Sequence, residues 1–280
     1  MSSTHPIGST GYIEDCEACC EKILQHFSQI SSTLSEADKL FITRPTILRY
    51  STARNGNYDE ALKNLESSLE WRRTHVPEHL CCPACEQDPG SHCFFTIGVD
   101  SKKRIVVYAS AAKAKMNEKD VTVQHMVHVL EHAWRSTDEL DLAPQWTWII
   151  DFGGFSLWNA MQGSTSNGAL SAFSRHMPER LGVVCLLNPP GIFDILLTAV
   201  KPFVDARTMS KVNFIRGTPE EVSNQLDKLG INKDSGMSSW LTECLHLPPK
   251  TGNVPNDSKL DSAILQKIRL PGCAHIAQNK

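Results

Sequence analysis

A run of apolar residues long enough to cross a bilayer is missing from this 280-residue sequence. Spanning takes about 18–20 such residues, and the longest stretch, Gly191 to Val200, is interrupted by Asp194. Positive charge is not in excess either. Lys and Arg number 28 against 31 Asp and Glu, a net charge of −3. That balance argues against a nucleic-acid partner, which needs clustered Lys and Arg. Met1 to Cys20 has neither a basic start nor an apolar core and does not read as a secretory signal. The expected location is the cytoplasm, and the ten cysteines are expected as reduced thiols, not as a disulfide framework. No G-x-G-x-x-G, Walker A or G-x-S-x-G motif occurs, and no internal repeat.

The composition, 41% hydrophobic and 21% charged, is that of a folded globular chain. Its first part reads as helical. Ile13, Cys16, Cys20, Ile23, Phe27 and Ile30 recur at helical spacing. Ser35 is a helix-start signal, with Glu36 and Asp38 in the turn after it. Asn57 opens a helix with Glu60 in its first turn, and Leu62, Leu65, Leu69 and Arg72 form its stripe.

Beyond a Cys-, Pro- and Gly-rich stretch the periodicity changes. Strands are expected at Arg104 to Ala109, Trp146 to Asp151, Val183 to Asn188 and Val212 to Ile215. Helices are expected at Val121 to Trp134, Asn167 to His176, Ile192 to Val204 and from Thr218 to Gly230. Alternating strands and helices predict an α/β domain with a largely parallel sheet. Asp151, at a strand end, reads as a turn cap, and Arg180 as a structural residue pairing across the sheet end.

Three stretches then carry a resemblance: Ile149-Ile150-Asp151-Phe152-Gly153-Gly154-Phe155-Ser156, Met177-Pro178-Glu179-Arg180-Leu181-Gly182 running into Leu187-Asn188-Pro189-Pro190, and Lys201-Pro202-Phe203-Val204-Asp205 followed by Thr208 and Ser210-Lys211. With Leu48-Arg49-Tyr50, Ala53-Arg54, Tyr58-Asp59 and Leu69-Glu70-Trp71-Arg72 in the helical part, they resemble the CRAL-TRIO lipid-binding family, yeast-type phosphatidylinositol-transfer proteins included. The resemblance covers about residues 40 to 245. It implies an α/β fold: a mostly parallel sheet floor with covering helices and a lid helix, preceded by a small all-helical module. With a Cys-rich loop and a polar, proline-scattered tail read from composition, the expected organisation is a helical module over residues 1–80, a Cys-rich loop over 81–101, a lipid-binding domain over 102–247 and a mobile tail over 248–280.

What the resemblance implies for function is binding and exchange of a lipid, foremost phosphatidylinositol, with transient membrane contact and no catalysis or cofactor. Its inositide site maps onto Arg54, Glu179, Thr208 and Lys211. A phosphodiester takes charge-assisted donors, and inositol hydroxyls take a mixed donor and acceptor set. Read alone, Arg54 is a solvated helix charge and Glu179 a partner for Lys211 or a cap for backbone amides. Pocket and lid map onto Trp146, Trp148, Ile192, Phe193, Leu196, Val200 and Phe203. The helix from Ile192 is apolar on most of its circumference, which suits either a core helix or a lid. Two features depart from the family pattern. Asn55 stands where a basic residue often follows the Arg, and Trp146 and Trp148 stand where phosphatidylcholine-binding members carry small hydroxyl residues.

Cys82-Pro83-Ala84-Cys85 with His92-Cys93 offers four N/S ligands for a metal, a redox pair or an ordinary loop. The reading adopted is the ordinary loop, with no metal. Other readings of the whole are a carrier of a different small lipophile, a lipid-sensing adaptor whose Cys-rich loop holds zinc, and a hydrolase or reductase on an α/β sheet.

Overall fold

Four side chains start four helices by accepting a backbone N–H that would otherwise lack a partner. Ser9 accepts from Tyr12 N and opens α1 (Thr10–Gln29). Ser35 and Asp38 form a reciprocal capping box at the start of α2 (Glu36–Phe41). Thr43 accepts from Thr46 N at α3 (Arg44–Ala53), and Asn57 from Glu60 N at α4 (Tyr58–His75).

The computed structural model describes residues 8–76, 80–115, 118–155, 172–194 and 209–271. The chain divides into two units, Met1–His79 with Leu170–Glu179, and Leu80–Ala169 with Arg180–Lys280.

In the first unit, α1 packs on both α3 and α4. Its buried arc is therefore wider than one stripe: Tyr12, Cys16, Cys19, Cys20, Ile23 and Phe27 are inside. Ile13, expected in the stripe, is 53% exposed, and Tyr12 takes the inner position. Ile47, Tyr50, Leu65 and Leu69 complete this core. Burial pushes the Cys20 thiol up to about 11, so it is a protonated packing group. The short helical turn over 172–176 returns to α4. His176 stacks on Trp71 with ring centroids 4.4 Å apart. Its Nδ1 lies 3.0 Å from Ser68 Oγ, and its carbonyl accepts the Tyr50 hydroxyl at 3.0 Å.

In the second unit, α5 (Pro83–Gln87) precedes β1 (Phe94–Val99). β1 pairs antiparallel with β2 (Ile105–Ala109), and β2, β3 (Trp146–Asp151), β4 (Leu181–Leu187) and β5 (Val212–Ile215) follow in parallel. The sheet order is β1-β2-β3-β4-β5. α6 (Lys119–Glu139) connects β2 to β3. After β5 come α7 (Pro219–Lys228), α8 (Met237–Cys244) and α9 (Ser262–Ile268). β1 lies inside the stretch expected as a loop. Its signal is interrupted at Gly98, where a register shift falls and where a Cβ would come 2.7 Å from Met237 Sδ.

Side chains alternate across a strand, so the register defines two faces. On the back, Tyr108, Ile149, Cys185 and Leu187 are fully buried. Trp240 of α8 stands edge-on to Phe95 and Tyr108 at 6.1 and 5.0 Å. On the front lie Phe94, Val107, Trp146, Trp148, Val184 and Leu186, with α6 over the β1 side, where His125 meets Phe94.

The chain does not trail off after residue 247. Arg269 donates to Thr96 O through Nε and Nη2, at 3.0 and 2.9 Å, and Thr96 Oγ1 donates to Ile268 O at 3.2 Å. Leu265, Ile268 and Leu270 are buried. The expectation of a mobile tail over 248–280 thus gives way, through residue 271, to a packed segment whose Leu and Ile residues reach the β1 edge. Residues 272–280 lie outside the described residues.

Two buried ion pairs bracket the sheet. Where β1 turns into β2, Asp100 Oδ2 accepts Arg104 Nε at 2.7 Å and Thr147 Oγ1 at 2.8 Å, while Oδ1 accepts Lys102 N and Arg104 N. At the C-terminal end of β3, Asp151 Oδ2 accepts Lys113 Nζ at 2.5 Å and Tyr108 OH at 2.6 Å, and Oδ1 accepts Gly153 N at 2.7 Å. The turn-cap reading of Asp151 captures the last of these contacts and omits the first two.

Two outcomes follow from this packing. Lys113→Met strands a buried carboxylate and should cost about 3–5 kcal/mol in urea unfolding, and adding Asp151→Leu should restore part of the loss. Burial lowers the His176 imidazole from its ordinary 6.5 to about 4, with Arg175 and His75 adding to the effect. Between those values the unfolded chain binds more protons than the folded one, so stability falls as pH drops through that window. Burial also lowers His132. The thermal midpoint of His176→Gln should therefore drop less steeply than that of the wild type, with a residual slope.

Candidate functional site

The front face is sealed unevenly. Phe94, Trp146 and Val184 are buried, but Trp148, Ile150, Leu186, Val212 and Phe214 are only half-buried. On the back face of β3, β4 and β5, Ile149, Cys185, Leu187 and Ile215 have essentially no exposure, and only Val183 and Asn213, near the starts of their strands, are half-buried. Six apolar side chains across three parallel strands thus form a floor that the described residues leave partly open. Open apolar area of that kind marks a surface for an apolar ligand or partner.

Aromatic rings stand at the strand ends beside this floor. Phe152 lies 4.5 Å from Phe193 and 5.2 Å from Phe155, centroid to centroid. Asp151 holds the turn that carries Phe152 through Gly153 N. Arg216, just after β5, donates from Nε to Pro189 O at 3.0 Å and pairs with Asp194 at 3.0 Å. The Pro189-Pro190-Gly191 segment is thereby tied to the β5 end. Ile192 is 44% exposed.

The residues expected for a pocket separate by burial. Trp146 is 2% exposed. Arg180 lies over it at 5.4 Å and over Trp134 of α6 at 5.6 Å, while its Nη1 donates to Pro144 O at 2.7 Å. Trp146 is therefore core, and Arg180 closes the sheet end as read from the sequence. Trp148 lies edge-on to Phe94 at 5.8 Å and stays half-buried on the floor. Leu196, Val200 and Phe203 lie outside the described residues.

Of the polar set, Arg54 and Glu179 belong to the first unit and Lys211 to the second, and Thr208 lies outside the described residues. Arg54 caps the C-terminus of α3 and is half-buried. Among the described residues it has no carboxylate within ion-pair distance, and neither has Lys211. Glu179 adopts φ 58°, a left-handed conformation that costs a non-glycine residue roughly 1–2 kcal/mol. It half-buries its side chain in the turn before β4.

A further cluster lies at the β1 side of the second unit. Cys82, Cys85, His92 and His125 place one donor atom each within 4.8 Å of the others, and all four are buried. Cys93, the partner suggested by the sequence spacing, points elsewhere. It lies among the charges of Lys113 and Asp151, and burial pushes its thiol up to about 12. His125 is supplied by α6, beyond the reach of any local motif. The nine cysteines among the described residues are free of disulfides.

Comparison with known proteins agrees with this architecture. The CRAL/TRIO domain model matches residues 90–236. An SHNi-TPR model matches residues 54–79, a stretch that holds the single helix α4. The phosphatidylinositol transfer protein PDR17 of Saccharomyces cerevisiae is 29% identical over 215 residues, 70% of this chain and 59% of that protein. A CRAL-TRIO domain-containing protein of Schizosaccharomyces pombe is 26% identical, over 67% of this chain and 18% of its own length. The chain thus spans less than two thirds of these relatives. The crystal structure of Sfh5 superposes with a TM-score of 0.60 at 17% identity, covering 94% of this chain and 98% of that one. With a family model matching over half of its length, on an α/β fold with a mostly parallel sheet, the chain belongs to the CRAL/TRIO domain family.

Proposed function

We propose that this chain binds one phospholipid, phosphatidylinositol foremost, over the open front of its sheet and exchanges it with membranes. The observation that carries the reading is the asymmetry of the sheet: a more fully buried back face and a partly open apolar floor built by Trp148, Ile150, Leu186, Val212 and Phe214 around the buried Val184. Support for a lipid also comes from the family and from a relative named as a phosphatidylinositol transfer protein.

The energetics suit extraction. Each methylene buried recovers about 0.8 kcal/mol, so acyl chains on this floor regain what they lose on leaving the bilayer. Arg54 and Lys211 would supply charge-assisted donors to the phosphate, and Glu179 and Thr208 a mixed set for inositol hydroxyls. The lid role belongs to the segment beginning at Ile192 and Phe193. No covalent step is assigned to the chain, and it would work in the cytoplasm with transient membrane contact. A flatter hydrophobe is the second reading, favoured by the indole of Trp148 on the floor.

Mass spectrometry of lipid that co-purifies with the full chain tests the reading. Phosphatidylinositol at near one per chain is expected; lipid-free protein that transfers nothing between vesicles would overturn it. Lys211→Ala should lower phosphatidylinositol transfer at least tenfold, since a charged hydrogen bond is worth about 1.5–3 kcal/mol. Wild-type rates in that variant would remove Lys211 from the head-group site. Phosphatidylcholine transfer should be weak, because an indole at 148 replaces a small hydroxyl with bulk. Robust phosphatidylcholine exchange would refute that role for Trp148.

A further inference from the structure

We propose that Cys82, Cys85, His92 and His125 bind one structural zinc ion. The donors come from three parts of the second unit. Cys82 is the N-cap of α5 and Cys85 lies on its first turn, with Pro83 between them starting the helix. His92 precedes β1, and His125 lies on α6. A C-x-x-C pair on a tight helical turn brings both sulfurs to one side. Two thiolates and two imidazoles, with no carboxylate in the group, form a soft N/S set that selects zinc over magnesium or calcium.

The geometry is close to what the ion needs. Tetrahedral zinc with Zn–S about 2.3 Å and Zn–N about 2.0–2.1 Å holds its ligand atoms roughly 3.3–3.8 Å apart. The four donor atoms lie within 4.8 Å of one another, so a contraction of about 1.5 Å at most seats the metal. Cys85 Sγ and His125 Nδ1 are already 3.7 Å apart.

The ring of His125 is oriented for this role. Its Nε2 lies 2.7 Å from Phe94 O. A carbonyl accepts only, so Nε2 carries a proton, and in the neutral ring Nδ1 offers its lone pair on the side of Cys85. Such a backbone acceptor behind a ligating imidazole is the usual support of a zinc-binding histidine. His92 stacks on His125 with centroids 4.4 Å apart.

Charge and burial agree. Cys85, His92 and His125 are each 1% exposed and Cys82 3%. Binding converts two thiols to thiolates and releases two protons, and Zn²⁺ with two thiolates and two neutral imidazoles carries no net charge. A neutral unit can be buried without the penalty of a lone ion. Four protein donors with no exposed position describe a closed structural site, not a catalytic one. The site would clasp α5 and the approach to β1 onto α6. Phe94 transmits it to the floor: its carbonyl holds His125, and its ring abuts Trp148.

The test uses the tag-free full chain, grown with zinc and purified under reducing conditions. Elemental analysis should give one zinc per chain. Cys85→Ser and His125→Ala should each fall far below that, and Cys93→Ser should keep it. Wild-type protein stripped by chelator should take up one Co²⁺ with the ligand-field absorption of a tetrahedral site and a thiolate charge-transfer band. X-ray absorption at the zinc edge of the wild type should show two sulfur and two nitrogen neighbours, a readout that stands even if a variant fails to fold. A wild type without zinc that takes up no cobalt would overturn the proposal. So would zinc that survives both Cys85→Ser and His125→Ala, zinc lost in Cys93→Ser, a different ligand count, or a Cys82–Cys85 disulfide in the reduced preparation.

Discussion

A lysine and an aspartate with no solvent exposure must each find partners inside the protein, because the loss of water around either charge costs several kcal/mol. Lys113 and Asp151 meet that condition through a 2.5 Å contact, with Tyr108 and Gly153 N taking up further acceptor capacity of the carboxylate. The arrangement constrains three pieces of chain at once. It anchors the segment after β2, it ends β3, and it sets the turn that presents Phe152 beside Phe155 and Phe193. Burial and the neighbouring carboxylate push the Tyr108 hydroxyl well above its ordinary range, so it stays a proton donor to Asp151. The rim of the candidate lipid site therefore rests on an electrostatic knot beneath it.

The proposed function rests on the unequal burial of the two sheet faces. The back is filled by α8, whose Trp240 donates to Pro255 O at 3.1 Å while its ring packs on Phe95 and Tyr108. The front is covered near β1 by α6 and left half-buried along β3 to β5. A parallel sheet usually buries both faces. The departure falls on the side where the lipid reading needs free apolar surface. Phe94 stands at the boundary, touching His125 on one side and Trp148 on the other. A metal clasp there would stiffen the floor at its β1 edge.

Much of the fold was legible because local chemistry and global fold agree. Ser35, Asn57 and Thr218 open helices where their spacing predicts. The strands at 146–151 and 212–215 end at the residues their apolar runs suggest. The misses have definite causes. β1 was hidden by Gly98 and by the cysteines around it. A single-stripe pattern puts Ile13 inside because it does not anticipate that α1 packs against two helices. The packed tail was missed because its short, polar sequence hides Leu265, Ile268 and Leu270, whose burial depends on a distant strand.

For the sites the division is sharper. By itself the sequence determined the family, the α/β class and the order of the strands' motifs, since these depend on residue types at short separations, which fixed backbone periods make readable. It also named Arg54, Glu179, Thr208 and Lys211, through motif resemblance alone. Tertiary structure decided which face of the sheet stays open, and that Trp146 is core while Trp148 lines the floor. It also decided that His125, not Cys93, joins Cys82, Cys85 and His92. Those choices depend on how α6 lies across the sheet, a contact between residues far apart in the chain. No local spacing encodes that contact, because it is set by packing once the strands have assembled.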